Sequence, residues 1–369
     1  MANHFLGILA LSTYWLIFWQ KFLRNPYLLS TSELASTYFP FWISMGRKWK
    51  GKDDIYYGYP ACIPFLSMFY FPSYIASKIT KFVSLDTAFR CYAYFILLHY
   101  LLASLIAYKV LGLFGALTLT YAGYCIKPQT PSFVYTMTWM PGMLLPGWMG
   151  VFCCFMAITG GYWPILVYFM PVAVFLNPWC LLGLIPALIQ IIPFAWYWPK
   201  SIRSGEEIDR NMGKLSIWKL RDLFIPTKDV TPTNGAHYPE VEMYIGIAVL
   251  FIKPSLWCLS LLLSVLWCLG LISSIQRIPS RALYLLTLSI SFLVQITSLP
   301  LILLQAFLLL RNSQIYPSFP FSQWWKKPSE LYHNFKADGT WPNVTGYLEN
   351  KRISSYQGAF RMKEPLWTT

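Results

Sequence analysis

Apolar residues run in blocks of about 20 along most of this chain, each long enough to cross a hydrocarbon layer of about 30 Å as a helix. The uninterrupted blocks are His4–Leu23, Pro60–Ile79, Ala88–Tyr108, Val110–Ile126, Trp163–Trp179 and Cys180–Trp198. Ser132–Ile158 is broken by Pro141 and Pro146 and reads as one span or two short ones. Tyr244–Ile275 carries a kink signal at Lys253-Pro254, and Leu283–Leu310 is interrupted at Pro300. The pattern predicts an all-α fold, a polytopic transmembrane helical bundle of about 8 to 10 spans. The runs are continuous rather than alternating, which argues against a membrane β-barrel. Proline is tolerable in such helices because neighbours can satisfy the freed backbone groups.

Composition agrees. Hydrophobic residues make up 56% of the 369 and charged residues only 12%, about half the usual charge of a soluble domain. Trp196, Trp198, Trp324 and Trp325 stand at the ends of apolar blocks, where interfacial belts form. The first block lacks a basic start and a small-residue cleavage site, so it reads as an uncleaved first span. The eight cysteines fall in apolar stretches without a Cys-x-x-Cys pair, which reads as buried small hydrophobes rather than a disulfide frame or metal site. A net charge of +14 suits contact with anionic membrane lipid. The basic residues are scattered and form no nucleic-acid-binding motif, so no nucleic-acid partner is expected.

Three polar segments separate the apolar blocks: Arg24–Tyr59, Pro199–Glu242 and the tail Arg311–Thr369. All 15 acidic residues lie outside the spans, with Glu242 at the entrance of one. A proton-coupled transporter usually needs an ionisable group at mid-membrane, so this distribution favours chemistry at a membrane face. In the first segment, Glu33 precedes Tyr38-Phe39-Pro40-Phe41-Trp42. At helical spacing Tyr38, Trp42, Met45 and Trp49 share one face, which predicts an interfacial helix over about Tyr38–Lys50. Glu33 could act as a general base on an acceptor hydroxyl, with Arg47 and Lys48 holding a lipid-borne phosphate as it leaves. The plainer reading is a solvated loop with an aromatic anchor. Asp53 and Asp54 offer hard oxygen ligands for Mg²⁺ or Mn²⁺, and a metal-free mechanism is equally open.

Several of these segments resemble the YfhO-like bacterial membrane proteins, which belong to the GT-C class of polyprenyl-phosphate-sugar glycosyltransferases. Glu33 with Tyr38-Phe39-Pro40-Phe41 is similar to an acidic residue before a Tyr-x-Pro-Phe stretch, although the family residue is more often Asp. Gly58 and "FLSMFYFPSYI" (65–75) resemble a glycine turn and an aromatic helix bearing Ser-Pro. "LRDLFIP" (220–226) and "EVEMYIGIAVL" (240–250) resemble a loop end and the entry to a span, with Glu242-Met243-Tyr244-Ile245-Gly246 the most specific match. "WPNVTGYLENKRISSYQG" (341–358) is similar to a tail motif, with Ser355-Tyr356 in place of Gly-Tyr.

The resemblance implies a GT-C-like domain over residues 1–310, with outer loops at 24–59 and 199–242, and a polar tail at 311–369 left from an outer domain. It implies transfer of a sugar from a polyprenyl-phosphate donor to an extracytoplasmic acceptor, in the bacterial inner membrane. The chain is short for the family, so a membrane protein partner is also expected. The alternative is a non-catalytic relative: a facilitator, a flippase-like transporter or an assembly partner. His237, Glu240 and Glu242 are acceptor-side candidates, and the plainer reading of His237 and Glu240 is a loop turn. Arg24, Arg47, Lys48, Lys50 and Lys52 would place the first loop in the cytoplasm by charge, whereas the resemblance places it outside. The outer placement is preferred, with the charges spent on lipid phosphates. His99 is expected to make a structural hydrogen bond, and Asn177-Pro178 an interhelical turn.

Overall fold

Leu11, Tyr14, Trp15 and Phe18 are buried along one face of α1 (Ala2–Phe18), at the spacing of a single helical stripe. The other face shows Phe5, Leu6, Leu9, Leu16 and Ile17, each more than half exposed. A soluble helix would carry charge there; this one is apolar on both faces. The computed structural model describes residues 2–29, 34, 38–46, 69–126, 128, 130–197, 224–225, 244, 246 and 298–314, and every regular element among them is helical. After α1 come α2 (Gln20–Arg24), α3 (Phe39–Gly46), α4 (Phe71–Ser77) and α5 (Leu85–Tyr121). Then follow α6 (Pro131–Trp139), α7 (Trp148–Thr159), α8 (Trp163–Leu176), α9 (Leu184–Tyr197) and α10 (Leu299–Leu309).

The helix α5 folds back on itself. Ser84 caps its start, its hydroxyl accepting from the Thr87 N–H, and Asp86 sits in its first turn. The Trp15 indole donates to the Leu97 carbonyl at 2.8 Å, and Trp19 meets Tyr100 with ring centres 4.8 Å apart. The neighbouring α1 rings Tyr14 and Phe18 each meet Tyr121 at 4.8 Å. In a straight helix Tyr100 and Tyr121 would stand about 30 Å apart, so both can reach one short segment of α1 only if the chain reverses between them. The reversal is at Gly112, whose φ of 72° and ψ of −178° lie outside helical space and are accessible essentially to glycine alone. One half of α5 therefore descends beside α1, with Tyr108 near His4, and the other half climbs back.

The next four helices alternate in direction. Phe152 of α7 packs edge-on against Trp139 of α6, and the Thr136 hydroxyl of α6 accepts from the Tyr162 N–H just beyond α7. These two contacts make α6 and α7 a hairpin. At its turn the Met143 and Leu145 carbonyls accept from the Asn177 side chain at 2.9 and 2.7 Å. Thus α8 runs from the open end of that hairpin to its turn. The helix α9 then returns, bringing Phe194 within 4.3 Å of Trp163.

Two helical stretches are long and apolar enough to cross a membrane by length and composition, Asp86–Tyr121 and Pro178–Ala195. The expected pair Ala88–Tyr108 and Val110–Ile126 corresponds to the two halves of α5, with the break at Gly112. Ser132–Ile158 forms two short helices, α6 and α7, rather than one span. Within Pro60–Ile79 the described part holds only the seven-residue α4 and a 3₁₀ turn, Lys78–Lys81. The helix α10 starts at Leu299 with Pro300 in its first turn, where a missing N–H costs nothing. Residues 247–297, which hold most of two further expected spans, lie outside the described residues, as does the tail beyond 314.

Candidate functional site

The segment after Glu33 is fastened by aromatic packing. Leu34 is fully buried. The Tyr38 hydroxyl bonds the Ser132 hydroxyl at 3.0 Å, at the start of α6. Phe39 lies edge-on to Phe89, and Trp42 stacks on Tyr92 at 4.7 Å. The expected shared face of Tyr38, Trp42 and Met45 is therefore a buried face that rests on α5 and α6. The described α3 covers eight residues, about 12 Å; Trp49 and the rest of the expected helix to Lys50 lie outside the described residues.

The helix α3 ends against α4 at Gly46. A β-carbon there would overlap the Ser77 carbonyl and the Thr80 hydroxyl, so only glycine permits the approach. Lys78 completes the junction. Its ammonium donates to the Met45 carbonyl at 3.0 Å and sits 3.9 Å from the centre of the Tyr74 ring.

The second expected loop is fastened at its far end. The Gly123 N–H donates to the Tyr244 carbonyl at 3.0 Å, and the Asn312 amide reaches the Tyr121 carbonyl at 2.7 Å and that of Tyr244 at 3.4 Å. The Arg311 guanidinium lies 5.3 Å from the Tyr244 ring centre. Gly246, at φ 92°, presses on Gln305, whose amide donates to the Thr118 hydroxyl at 2.9 Å. The connection between α5 and α6 is itself tied down, because the Tyr100 hydroxyl donates to the Cys125 carbonyl at 3.0 Å. Tyr38 and Tyr244 thus anchor at the two ends of one stretch, Tyr121–Ser132.

Beside α3 opens a cavity of about 710 Å³, lined among others by Met45, Tyr74, Trp139, Phe152, Met156 and Ile189. A buried polar chain stands behind its wall. The Trp139 indole donates to the Tyr70 hydroxyl at 2.7 Å, which reaches His99 Nε2 at 2.7 Å, while His99 Nδ1 reaches the Phe95 carbonyl at 2.7 Å. An indole only donates and a carbonyl only accepts. The neutral His99 with its proton on Nδ1 is therefore the state that satisfies every member, with Tyr70 donating to Nε2. The expected structural role of His99 is what the geometry shows. Asn177 likewise forms the interhelical turn.

The residues singled out for chemistry, Glu33, Arg47, Lys48, Asp53, Asp54, His237, Glu240 and Glu242, all lie outside the described residues. The structure brings together their neighbours: Leu34 and Tyr38 after Glu33, Gly46 before Arg47, and Tyr244 beyond Glu242. Among the described residues no group of three or more His, Cys, Asp or Glu comes together to hold a metal. Sequence reasoning did not find the cavity or its polar wall. The one available signal was the aromatic stretch at 65–75, which supplies Phe69, Tyr70, Phe71 and Pro72. Comparison with protein-family models, curated proteins and solved structures finds no match.

Proposed function

We propose that this chain is a multi-pass membrane glycosyltransferase of GT-C type that moves a sugar from a polyprenyl-phosphate carrier to an extracytoplasmic acceptor. One observation carries the reading: the segments next to Glu33 and Glu242 both anchor on Tyr121–Ser132, through Tyr38 and Tyr244. A transferase needs its base and its acceptor-binding groups in one place, and loops that depart from the same stretch of backbone can supply them.

In this reading the acceptor oxygen attacks the anomeric carbon while its proton passes to the Glu33 carboxylate. The bond from the anomeric carbon to the phosphate oxygen breaks, and the polyprenyl phosphate leaves with that electron pair. Arg47 and Lys48 steady the leaving charge, and His237, Glu240 and Glu242 face the acceptor.

The test is transfer from a radiolabelled polyprenyl-phosphate sugar by the purified chain in lipid nanodiscs. Glu33→Gln keeps size and removes basicity, so the rate should fall by about 10² to 10⁴ with the amount of folded protein unchanged. Glu33→Asp should be milder. Transfer at the parental rate by Glu33→Gln removes Glu33 from the role and turns attention to Asp53 and Asp54. No transfer by the parent across carriers of several lengths and sugars supports the non-catalytic alternative.

A further inference from the structure

Tyr70 hands its proton toward a base, where other phenols of the bundle do not. The hydroxyls of Tyr14, Tyr94 and Tyr100 donate to backbone carbonyls at 3.0, 3.2 and 3.0 Å, and a carbonyl accepts a hydrogen bond without taking up the proton. Tyr70, fully buried, donates to the neutral Nε2 of His99 at 2.7 Å, while its oxygen accepts from the Trp139 indole at 2.7 Å. We propose that Trp139, Tyr70 and His99 form a one-electron donor site that reduces alkyl peroxyl radicals of the surrounding hydrocarbon. Tyr70 becomes a phenoxyl radical and His99 Nε2 receives its proton. This activity is independent of sugar transfer.

In the resting chain the proton stays on oxygen, because a phenol holds its proton more tightly than an imidazolium does. Removing an electron turns the phenol into a strong acid, and an isolated charge in a dry interior is costly. The proton then crosses the short bond to Nε2 and leaves a neutral phenoxyl beside an imidazolium. Every bond of the chain survives the step. Nε2–H donates to the phenoxyl oxygen, Nδ1–H still donates to the Phe95 carbonyl, and the indole still donates to the same oxygen. The Tyr135 ring centre lies 4.8 Å from that of His99, where an aromatic ring attracts the new cation. The same ring stacks on Tyr70 at 4.5 Å, and both are fully buried, so water is kept from the radical.

Trp139 connects the pair to the outside. It is half-buried, with Tyr70 on one side and the apolar cavity on the other, where Phe152 meets it edge-on at 5.4 Å. The residues lining that cavity carry no charge. An oxidant that reaches Trp139 therefore travels through hydrocarbon, which is where alkyl peroxyl radicals form. The peroxyl radical takes one electron from Trp139 and becomes a peroxide anion, which gains a proton from water at the membrane surface. The Trp139 radical cation takes one electron from Tyr70, whose proton moves to His99. One electron has left the chain, and one hydroperoxide has formed.

The experiment uses the full chain in nanodiscs of saturated phosphatidylcholine, which does not itself propagate peroxidation. A lipid-soluble azo initiator decomposing in air supplies the alkyl peroxyl radicals. Electron paramagnetic resonance of frozen samples reads the radical formed on the protein. The parent should show a neutral tyrosyl signal, and in chain carrying isotopically labelled histidine that radical should couple to a histidine nitrogen. Tyr70→Phe should lose most of the signal and accumulate oxidation products of Trp139, read by mass spectrometry. His99→Gln still accepts a hydrogen bond but takes no proton, so it should lose most of the signal as well. Tyr94→Phe should leave the signal unchanged. A parent without a tyrosyl radical, a radical without histidine coupling, or an undiminished signal in Tyr70→Phe or His99→Gln would each overturn the proposal. Should a variant fail to fold, the labelled parent decides alone, because a merely structural bond would leave the radical spread over other tyrosines with no histidine coupling.

Discussion

Gly123 donates its backbone N–H to the carbonyl of Tyr244 at 3.0 Å, and Asn312 closes on the same carbonyl from α10's end. Three separate parts of the chain meet there: the connection after α5, the entry motif at 242–246, and the 3₁₀ turn Leu310–Gln314. Asn312→Ala removes one amide that serves two buried carbonyls, so it should cost about 1 to 3 kcal/mol. Thermal unfolding in nanodiscs measures this. A shift no larger than that of an exposed control, such as Gln20→Ala, would mean that the clamp carries no weight.

The proposed function predicts one side for both polar loops. Single cysteines at Ser32 and Thr233, in a background without the native thiols, should both react with a membrane-impermeant maleimide added from outside. Labelling of only one would break the shared site and with it the mechanism for Glu33.

The junction of α3 and α4 should tolerate nothing larger than glycine. At Gly46 the obstacle is the Ser77 backbone carbonyl, which cannot swing aside as a side chain would. Gly46→Ala should therefore cost about 1 to 3 kcal/mol by overpacking, seen as a lower unfolding midpoint. Gly112 presents the opposite case. Nothing lies within 4 Å of a β-carbon there, yet its φ of 72° and ψ of −178° make Gly112→Ala cost about 1 to 3 kcal/mol by backbone strain alone. Restoring space around position 46 by Thr80→Ala should recover part of the first loss, and no neighbouring change should recover the second.

Tyr70 links a donor and an acceptor behind the cavity, taking the Trp139 indole N–H and giving its own proton to His99 Nε2. Tyr70→Phe leaves the Trp139 indole and His99 Nε2 without their bonds. It should destabilise by about 1 to 3 kcal/mol and change Trp139 fluorescence. In a double-mutant cycle with His99→Phe, a coupling of about 0.5 to 3 kcal/mol is expected. Strict additivity would show that the three groups act independently.

The helical character of the chain was legible because hydrophobicity alone dictates it, and the break between Ala88–Tyr108 and Val110–Ile126 came within a few residues of Gly112. The short helices were harder to see. Pro141 and Pro146 mark an interruption, but hydropathy does not say whether the chain continues or reverses. That depends on Gly147 at φ 63° and on Asn177 reaching back to Met143 and Leu145. Pro60–Ile79 is as apolar as a span, yet in its described part Ser73 and Ser77 are buried against neighbours, and such contacts leave no mark on a hydropathy scan. The shared aromatic face of Tyr38, Trp42 and Met45 was readable from spacing. The cavity was not, because its walls come from five separate segments whose approach only tertiary packing decides.

The reversal at Gly112 also sets the parity of the chain. Run straight, Leu85–Tyr121 would carry Ser132 to the opposite end of the bundle from Tyr38. Scored as a descent and a return, it brings Ser132 back to Tyr38, where the two hydroxyls meet at 3.0 Å. The alternating α6, α7, α8 and α9 then carry the chain down and up twice. One glycine with a backbone angle that no other residue readily adopts thus decides which way each later helix runs.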